Sequence, residues 1–248
     1  MSSLYYDETL AASDLSLGYE GQLVGDEAHH AISVSRVKPG ENFLIGTGAG
    51  VIARVTVLSV GKKSLMFRVD DVSSAQPAQP KLSLIQSLAK GDRDERAIEA
   101  CTELGVDRVF PYEAERSVSR WGAEKREKGV ARWRKIAREA SKQSLRHTIP
   151  EVQPPLTLSE LSALASEDTV LLLEPSAERA LSALEVSKLP SHDCIHLLIG
   201  PEGGFSELEV TTLVDAGAFA VKLGDTVLRT STAGMAALSL LNAKLGRW

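Results

Sequence analysis

An apolar run that stops abruptly at a Pro/Gly-rich turn is the feature that most constrains the fold of this chain. Residues 194–199 are apolar apart from one histidine, the turn reads Gly-Pro-Glu-Gly-Gly, and Ser206 and Glu209 then form a capping-box pattern. A strand, a tight loop and a capped helix are therefore predicted in that order. Because ligands in open α/β sheets bind beyond the carboxyl ends of strands, a ligand site is expected at this junction.

The chain after residue 80 alternates between strand and helix patterns. Strands are predicted at 82–89, 108–112, 169–174, 194–199 and 218–223. Helices are predicted at 92–104, 124–145, 158–164, 178–184, 206–216 and 231–244. Strands that alternate with helices indicate an α/β fold, in which a largely parallel sheet is covered on both faces.

The first 72 residues differ from the rest because they are rich in short β patterns. Strands are predicted at 29–36, 42–46, 51–58 and 64–69, separated by Gly-containing turns. This spacing favours a small β-barrel, a fold that often binds nucleic acid. Residues 73–80 are polar and contain prolines, so we predict a linker there, between one domain at 1–72 and a second at 81–248.

The distribution of charge leaves two interpretations open. The net charge is −5, yet residues 116–147 hold 11 Lys and Arg against 3 Asp and Glu. A solvated, salt-bridged helix face and a phosphate-binding surface both produce such a cluster.

Composition also argues against several classes of protein. Cys101 and Cys194 form no CxxC pair, and no Cys/His cluster has metal-ligand spacing, so neither a disulfide framework nor a metal site is predicted. No run approaches the roughly 18 apolar residues of a membrane span, and the N-terminus lacks a signal-peptide pattern. A cytoplasmic protein is therefore expected.

The loop after Ile199 is unsuited to phosphate. The sequence contains neither GxGxxG nor GxxxxGK[ST], and the Glu202 carboxylate would repel a phosphate group. A carboxylate in a glycine loop suits a ligand with hydroxyls, amines or positive charge, and S-adenosylmethionine carries all three. A second stretch, 221–238, predicts a strand end, a loop that carries Arg229, and a helix capped by Thr230 or Ser231. The small residues that open this helix indicate either close packing or an Ala-rich buried helix.

Five segments together resemble one protein family. The chain contains LLIGPEGGFSELEV and then VKLGDTVLRTSTAGMAAL, which resemble the paired C-terminal signatures of SPOUT methyltransferases and, within them, the ribosomal small subunit methyltransferase E family. Three further segments resemble segments of the same family and stand in the family's order along the chain. From the N-terminus they are HHAISVSRVKPGE, AKGDRDERAIEACTELGVDRVFPYEAERSV and REASKQSLRHTIPEV. The resemblance implies S-adenosylmethionine-dependent methylation of uridine N3 in 16S ribosomal RNA. It also implies a PUA-like N-terminal barrel, a C-terminal domain with a deep trefoil knot, and a homodimer.

The resemblance further implies which residues hold the cofactor. They are Leu173, Glu174, Ile199, Gly200, Pro201, Glu202, Gly203, Gly204, Leu223, Gly224, Val227, Leu228, Thr232 and Ala233. The chain departs from the family at two positions: Ser231 stands in place of a usual Glu, and Lys142 stands in place of the Glu of a usual Glu-Gln-Ser. Lys142 therefore adds a charge where RNA could pass.

The chemistry assigns provisional roles to two side chains. Uracil N3 carries a weakly acidic proton, so a site that methylates it must stabilise the anion left when that proton departs. Our hypothesis is that Arg229 binds the flanking carbonyl oxygens while Glu202 orients cofactor or substrate. A structural salt bridge for Arg229 and hydrogen bonds from loop N–H groups to Glu202 are the alternatives.

Contacts with RNA are expected outside the cofactor loops. The candidates are His30, Arg36, Lys90, Arg116, Arg120, Gln143, Ser144 and Arg146. Trp121 is a candidate for stacking on a base, whereas Trp133 sits among apolar helix positions and is expected in the core. Two other functions stay open: a SPOUT enzyme that acts on another RNA or on a ribose 2′-hydroxyl, and a non-catalytic RNA-binding protein of ribosome assembly.

Overall fold

The computed structural model describes residues 3–190 and 193–248, which divide into two compact units. The first unit extends to Pro77 and also includes Ser141–Ile149, whereas the second comprises Ala78–Ala140 and Pro150–Trp248. The sequence predicted a single domain at 81–248, whereas the structure assigns Ser141–Ile149 to the first unit.

The first unit is built on a mixed five-stranded sheet. Its strands are β1 (Leu4–Tyr6), β2 (Glu20–Leu23), β3 (Asn42–Gly46), β4 (Val51–Val60) and β5 (Leu65–Ser74). They lie in the order β1-β3-β4-β5-β2, with β1 parallel to β3 and the other neighbours antiparallel. Phe43, Val55 and Phe67 are buried together on one face, so alternate residues of the strands form the core. This β-rich unit confirms the sequence prediction, although β5 runs on into Ser73 and Ser74 of the predicted linker.

The strand predicted at 29–36 is wrong, because this segment is helical. Helix α1 (Gly25–His29) continues directly into a π-helical turn (His30–Val34). Ala28 and Ala31 are fully buried against the sheet three positions apart, a helical spacing that an alternating pattern does not produce. Burial of these two small residues outweighs the local β preference of Ile32 and Val34.

The second unit is built on a six-stranded parallel sheet. Its strands are β6 (Lys81–Ser87), β7 (Arg108–Tyr112), β8 (Glu151–Val152), β9 (Thr169–Leu173), β10 (Cys194–Ile199) and β11 (Phe219–Val221). They lie in the order β11-β9-β10-β6-β7-β8, and each neighbouring pair is parallel. The predicted parallel sheet is therefore confirmed.

Helices cover both faces of this sheet. They are α2 (Arg93–Glu103), α3 (Ala123–Gln143), α4 (Leu158–Glu167), α5 (Glu207–Asp215) and α6 (Thr230–Lys244). Leu197 packs in one apolar cluster with residues of α2, α3 and α6, while the next residue, Leu198, packs in another with residues of α4 and α5. Both clusters are buried, which explains why the strands read as continuous apolar runs.

The helix predicted at 178–184 is wrong in extent. Only short 3-10 turns occur there, at Leu181–Ala183 and Val186–Lys188. The Leu181 N–H donates to the Lys222 carbonyl at 2.8 Å, and the Lys222 N–H donates to the Arg179 carbonyl at 2.9 Å. This pairing with the chain after β11 holds the backbone extended, so a tertiary contact outweighs the local helix preference.

The predicted capping box of α5 is confirmed. Ser206 accepts the backbone N–H of Glu209 at 3.3 Å, and the Glu209 carboxylate accepts the N–H of Ser206 at 2.8 Å. The same buried carboxylate also accepts the Tyr112 hydroxyl at 2.7 Å and the Glu115 N–H at 2.9 Å. Burial, together with the hydrogen bond to Glu209, raises the pKa of Tyr112 far above its usual range. Glu209 thus ties the helix after β10 to the chain that follows β7.

Residues 141–149, which follow the body of α3, complete the first unit. The Tyr6 hydroxyl donates to the Arg146 carbonyl at 2.6 Å, and the Gly50 N–H donates to the His147 carbonyl at 2.8 Å. Ile149 packs against Gly48, where a Cβ would lie 2.7 Å from the Ile149 side chain at a φ of +71°. Within residues 3–190 and 193–248, no helix has the length and apolar content needed to cross a bilayer.

Candidate active site

A cavity of about 400 Å³ opens at the carboxyl edge of the parallel sheet. Its walls come from the segments that follow β9, β10 and β11, from the start of α6, and from Arg93 of α2. Both predicted catalytic residues, Glu202 and Arg229, line it. All predicted cofactor-binding residues line it as well, except Gly203 and Thr232. The structure therefore brings together three segments that the sequence selected separately.

Close packing shapes the loop after β10. The Gly204 N–H donates to the Pro201 carbonyl at 3.0 Å, and Gly204 has a φ of +69°, which favours glycine. A Cβ at Gly200 would lie 3.0 Å from the Phe205 ring, and a Cβ at Gly203 would lie 3.2 Å from the Arg116 side chain. The loop thus needs glycine both for its turn and for the space that neighbouring side chains occupy.

Glu202 is held by groups from the chain that follows β6. Its Oε1 accepts the Arg93 guanidinium at 2.6 Å and the backbone N–H of Lys90 at 3.1 Å. Partial burial acts to raise the pKa of Glu202, but hydrogen bonds from its own backbone N–H, from Arg93 and from Lys90 outweigh burial and lower the pKa. Glu202 is therefore ionised at neutral pH, and it joins two of the loops around the cavity.

Sequence reasoning missed Arg93, which lines the cavity and pairs with Glu202. The two residues are 109 positions apart, so no local pattern links them. The signal that could have found Arg93 is its place in the first turn of a helix that follows a central strand, since such helices begin at the ligand edge of the sheet.

Arg229 occupies the N-cap position of α6. Its backbone is extended, with φ −66° and ψ 152°, and its carbonyl accepts the N–H groups of Thr232 and Ala233. The predicted cap by Thr230 or Ser231 is therefore wrong, because Thr230 is already the first helical residue and its hydroxyl bonds elsewhere. The Arg229 guanidinium is exposed and has no hydrogen bond or ion pair with any residue that the structure describes. It is thus free to bind a ligand at the cavity.

The small residues of α6 allow close packing behind the cavity. Ala233 lines the cavity, and Gly234 beside it is buried. A Cβ at Gly234 would lie 3.1 Å from the Leu84 side chain and 3.3 Å from the Cys101 sulfur. Both interpretations of this helix therefore hold: Ala233 and Ala237 are buried, and Gly234 is packed closely against neighbouring side chains.

The predicted RNA contacts fall in both units. In the second unit, Lys90 and Arg116 lie beside the loop after β10, with the Arg116 guanidinium 3.5 Å from the Gly203 carbonyl oxygen. Arg120 is exposed and donates to the Glu115 carbonyl at 2.8 Å. In the first unit are His30, Arg36, Gln143, Ser144 and Arg146. His30 lies on the π-helical turn with its ring 5.7 Å from that of Tyr5, and Arg36 follows this turn.

The two tryptophans of the basic segment pack on each other. The rings of Trp121 and Trp133 meet edge to face at 5.2 Å. Trp133 is buried, as expected, and Trp121 also covers Gly129, where a Cβ would lie 2.5 Å from the indole. Trp121 is therefore engaged in packing, which argues against its stacking on a base.

Asp94, in the first turn of α2, makes stability depend on pH. Its buried carboxylate accepts the N–H groups of Ala89 at 3.3 Å and Glu95 at 2.9 Å, and burial raises its pKa to about 6. Between the usual pKa and this raised value, the folded chain binds more protons than the unfolded chain, so stability falls as pH rises. We expect Asp94 to add about 1 kcal/mol to the free energy of unfolding when pH drops from 7 to 5.

Urea titrations at several pH values would measure this contribution as the difference between wild type and Asp94→Asn. Wild type must be compared with the variant because His196 also titrates. Burial lowers the pKa of His196, so the free energy of unfolding that depends on this residue decreases as pH falls, opposite to the contribution of Asp94. If the pH profiles of the two proteins are parallel between pH 7 and 5, Asp94 does not titrate as expected.

Comparison with known proteins places both units among RNA methyltransferases. Residues 76–242 match the family described as RNA methyltransferase domain, and residues 23–70 match the family described as RNA methyltransferase PUA domain. A ribosomal RNA small subunit methyltransferase E from Mycobacterium bovis is 37% identical over 253 residues, covering 100% of this chain and 94% of that protein. The predicted PUA-like character of the first unit is thus confirmed.

Two solved structures with bound cofactor are similar over almost the whole chain. One is a putative methyltransferase from Legionella pneumophila in complex with SAM, with a TM-score of 0.85, 30% identity and 98% of each chain covered. The other is a ribosomal RNA small subunit methyltransferase E from Neisseria gonorrhoeae bound to S-adenosyl methionine, with a TM-score of 0.84, 28% identity and 98% of each chain covered.

Proposed function

The chain belongs to the ribosomal RNA small subunit methyltransferase E family, and on this premise we propose that it methylates N3 of a uridine in 16S ribosomal RNA. It is a SAM-dependent RNA methyltransferase of SPOUT type. The observation that carries the finer proposal is that the loop after β10 and the exposed guanidinium of Arg229 line the same cavity. The trefoil knot implied by the resemblance stays a prediction.

The cavity suits S-adenosylmethionine. Its volume falls within the range of roughly 300–1,000 Å³ that small-molecule sites occupy. Leu173, Ile199 and Val227 give it apolar walls. In the described part of the chain, the N–H groups of Gly224 and Leu228 have no hydrogen-bond acceptor, so they can bind a ligand. We propose that Glu202 acts on the cofactor mainly by fixing the loop that surrounds it.

Arg229 supplies what the acceptor base needs. The bound cofactor provides an activated methyl group on a sulfonium, which is displaced directly when nucleophile, carbon and sulfur are aligned. Uracil N3 becomes a nucleophile only when it loses its proton, and the negative charge then spreads onto the carbonyl oxygens on either side. We propose that the Arg229 guanidinium donates to one of these oxygens and so lowers the pKa of N3, which lets the N3 proton pass to water before N3 attacks the methyl carbon and the thioether leaves. The base reaches the cavity by leaving its stack.

Arg116 is expected to contact RNA phosphate beside the cavity. Its guanidinium is exposed, and among residues 3–190 and 193–248 its only hydrogen bond is the long one to the Gly203 carbonyl, so its charge is available to a polyanion. Replacing Arg116 by Ala should weaken binding of an RNA fragment and reduce the dependence of log Kd on log salt by about one counterion. Filter binding between 50 and 200 mM salt measures both quantities.

Arg96→Ala is the matched control for this prediction. It removes the same charge from an exposed position on α2, where Arg96 pairs with Asp92 one turn earlier. An unchanged salt dependence in Arg116→Ala, or an equal change in Arg96→Ala, would show that Arg116 makes no phosphate contact.

Product analysis tests the reaction itself. Small ribosomal subunits from a strain without the modification are incubated with the protein and labelled S-adenosylmethionine, and the RNA is digested to nucleosides. We expect label in 3-methyluridine from 16S RNA. Label in a 2′-O-methylated nucleoside would instead support the ribose alternative, and absence of both label and cofactor binding would support a non-catalytic assembly protein.

We further propose that the chain acts as a homodimer in the cytoplasm, as the resemblance and the sequence imply. Sedimentation velocity at micromolar concentration should give twice the mass of one chain. A mass equal to one chain, with full methyl transfer, would contradict the dimer.

A further inference from the structure

Gln86 is a fully buried polar residue near the end of the central strand β6. It pairs with Ile199 of β10 on one side and with Pro111 of β7 on the other. Its side-chain Nε2 donates to the hydroxyl of Thr230 at 2.8 Å and to the Ser87 carbonyl at 3.0 Å. The first of these bonds joins the centre of the sheet to the first residue of α6, across 144 positions of sequence.

The direction of this hydrogen bond follows from its second partner. The Ser87 carbonyl can only accept, so the amide must present Nε2 rather than Oε1 on this side. Nε2 carries two protons, and the second is donated to the Thr230 oxygen. The Gln86 Oε1 has no partner among the described residues, and a buried carbonyl oxygen without one costs stability. A less polar residue of similar size would therefore stabilise the core more than Gln86 does. Stability of the core thus does not account for a glutamine at this position, whereas its hydrogen bond to Thr230 offers a functional reason.

Gln86 holds the residue next to Arg229. Thr230 is buried and lines the cavity, and α6 has no side-chain N-cap to fix its start. Arg229 immediately precedes it, and its carbonyl accepts two N–H groups of the first turn. The hydrogen bond from Gln86 anchors this first turn to the sheet. It therefore also fixes the position of the Arg229 backbone, and hence of its side chain, relative to the loop after Ile199.

We propose that Gln86 is a positioning residue, which acts through Thr230 to hold Arg229 where the acceptor base binds. This inference rests on the proposed role of Arg229. Displacement of an aligned group by about 1 Å can cost up to about 100-fold in rate, so a lost anchor should appear in kcat. Neither Gln86 nor Ser87 lines the cavity, so affinity for the cofactor should change little.

The test compares Gln86→Met and Thr230→Val, each of which removes one partner of the bond with little change in volume. We expect kcat to fall about 10- to 100-fold in each. In Gln86→Met, whose substituted residue lies outside the cavity lining, KM for both substrates and the calorimetric Kd for S-adenosylmethionine should stay within about twofold of wild type. Thr230→Ser keeps a hydroxyl and should recover most of the turnover that Thr230→Val loses. Ser83→Ala is the control, because Ser83 is buried on the same strand and its hydroxyl has no partner among the described residues.

A double-mutant cycle with Arg229→Ala separates the two levels of the proposal. If Gln86 acts through Arg229, then Gln86→Met should slow the Arg229→Ala enzyme no further. Additive losses, or wild-type kcat in Gln86→Met while Arg229→Ala is slow, would overturn the positioning role alone. Wild-type turnover in Arg229→Ala would instead overturn the proposed function of Arg229 and this inference with it. Assays are run well below the unfolding temperature of each variant, so that only folded protein is compared.

Discussion

Replacing Arg229 by Ala is expected to lower kcat for methyl transfer about 100- to 1,000-fold, the usual cost of removing one donor to a developing anion. The affinity for S-adenosylmethionine and the free energy of unfolding should change little. The free energy of unfolding should change little because the guanidinium is exposed and bonds to no group in the described part of the chain, so its removal leaves no buried partner unsatisfied. The affinity should change little because Arg229 is proposed to contact the acceptor base and not the cofactor. Single-turnover rates with small subunits, calorimetry and thermal unfolding measure the three quantities.

The pH dependence identifies which step Arg229 assists. If the guanidinium lowers the pKa of N3, its loss should be partly compensated at alkaline pH, where N3 loses its proton more readily. The rate of Arg229→Ala should therefore rise more steeply with pH than the wild-type rate. Arg229→Lys keeps the charge but not the planar set of donors, so its rate should lie between those of wild type and Arg229→Ala.

Exposed arginine on the same domain supplies the control. Arg96→Ala removes an equal charge from α2 at a residue outside the cavity lining, and it should keep wild-type kcat. Turnover of Arg229→Ala within a few-fold of wild type, or a pH profile parallel to wild type at reduced height, would contradict the proposed role in proton removal.

Local patterns predicted the scaffold of the site because local physics decides it. The run at 194–199 is apolar because both faces of β10 are buried, and Ser206 and Glu209 lie in one turn of helix, so both signals are complete within 16 residues. Every strand predicted in the second unit is present, and the cavity lies at the predicted edge of the sheet. The error at 29–36 has the opposite origin, since burial of Ala28 and Ala31 against distant strands decides that segment.

The supports of the site could not be predicted, because they join distant parts of the chain. Arg93 meets Glu202 across 109 positions, and Gln86 meets Thr230 across 144. Each contact forms only after parallel strands have brought their carboxyl ends to one edge of the sheet. Periodicity reports on neighbouring residues, so it cannot predict such contacts. Glu202 is an example of the consequence: its residue type indicated a ligand, while its contacts indicate that it holds a loop.

Lys142 was interpreted from the sequence as a charge that RNA could meet, but the structure pairs it within the first unit. Its Nζ lies 3.1 Å from both carboxylate oxygens of Glu27 and 5.9 Å from the centroid of the Tyr5 ring. The side chains of Lys142 and Glu27 are only 14% and 10% exposed. The lysine that departs from the family pattern is therefore partnered by a glutamate, and its charge is not offered to RNA.

Replacing Lys142 by Glu, the residue usual in the family, is therefore expected to destabilise the first unit by about 3–5 kcal/mol. The substitution removes a largely buried ion pair, and it adds repulsion because the new carboxylate lies beside that of Glu27. Tyr5 should lose its cationic neighbour as well. Lys142→Met removes the contact with Glu27 without adding repulsion, so its loss should be smaller.

The charge swap distinguishes the ion pair from packing. Glu27→Lys combined with Lys142→Glu should recover much of the stability that Lys142→Glu loses, because it restores opposite charges at the same two positions. All three tryptophans lie in the second unit, so their fluorescence does not report on this change. Hydrogen exchange of the β4 and β5 amides, which belong to the first unit, measures its opening free energy directly. Equal protection of these amides in wild type and Lys142→Glu would show that residues 141–149 are held to the sheet by their backbone contacts and not by this ion pair.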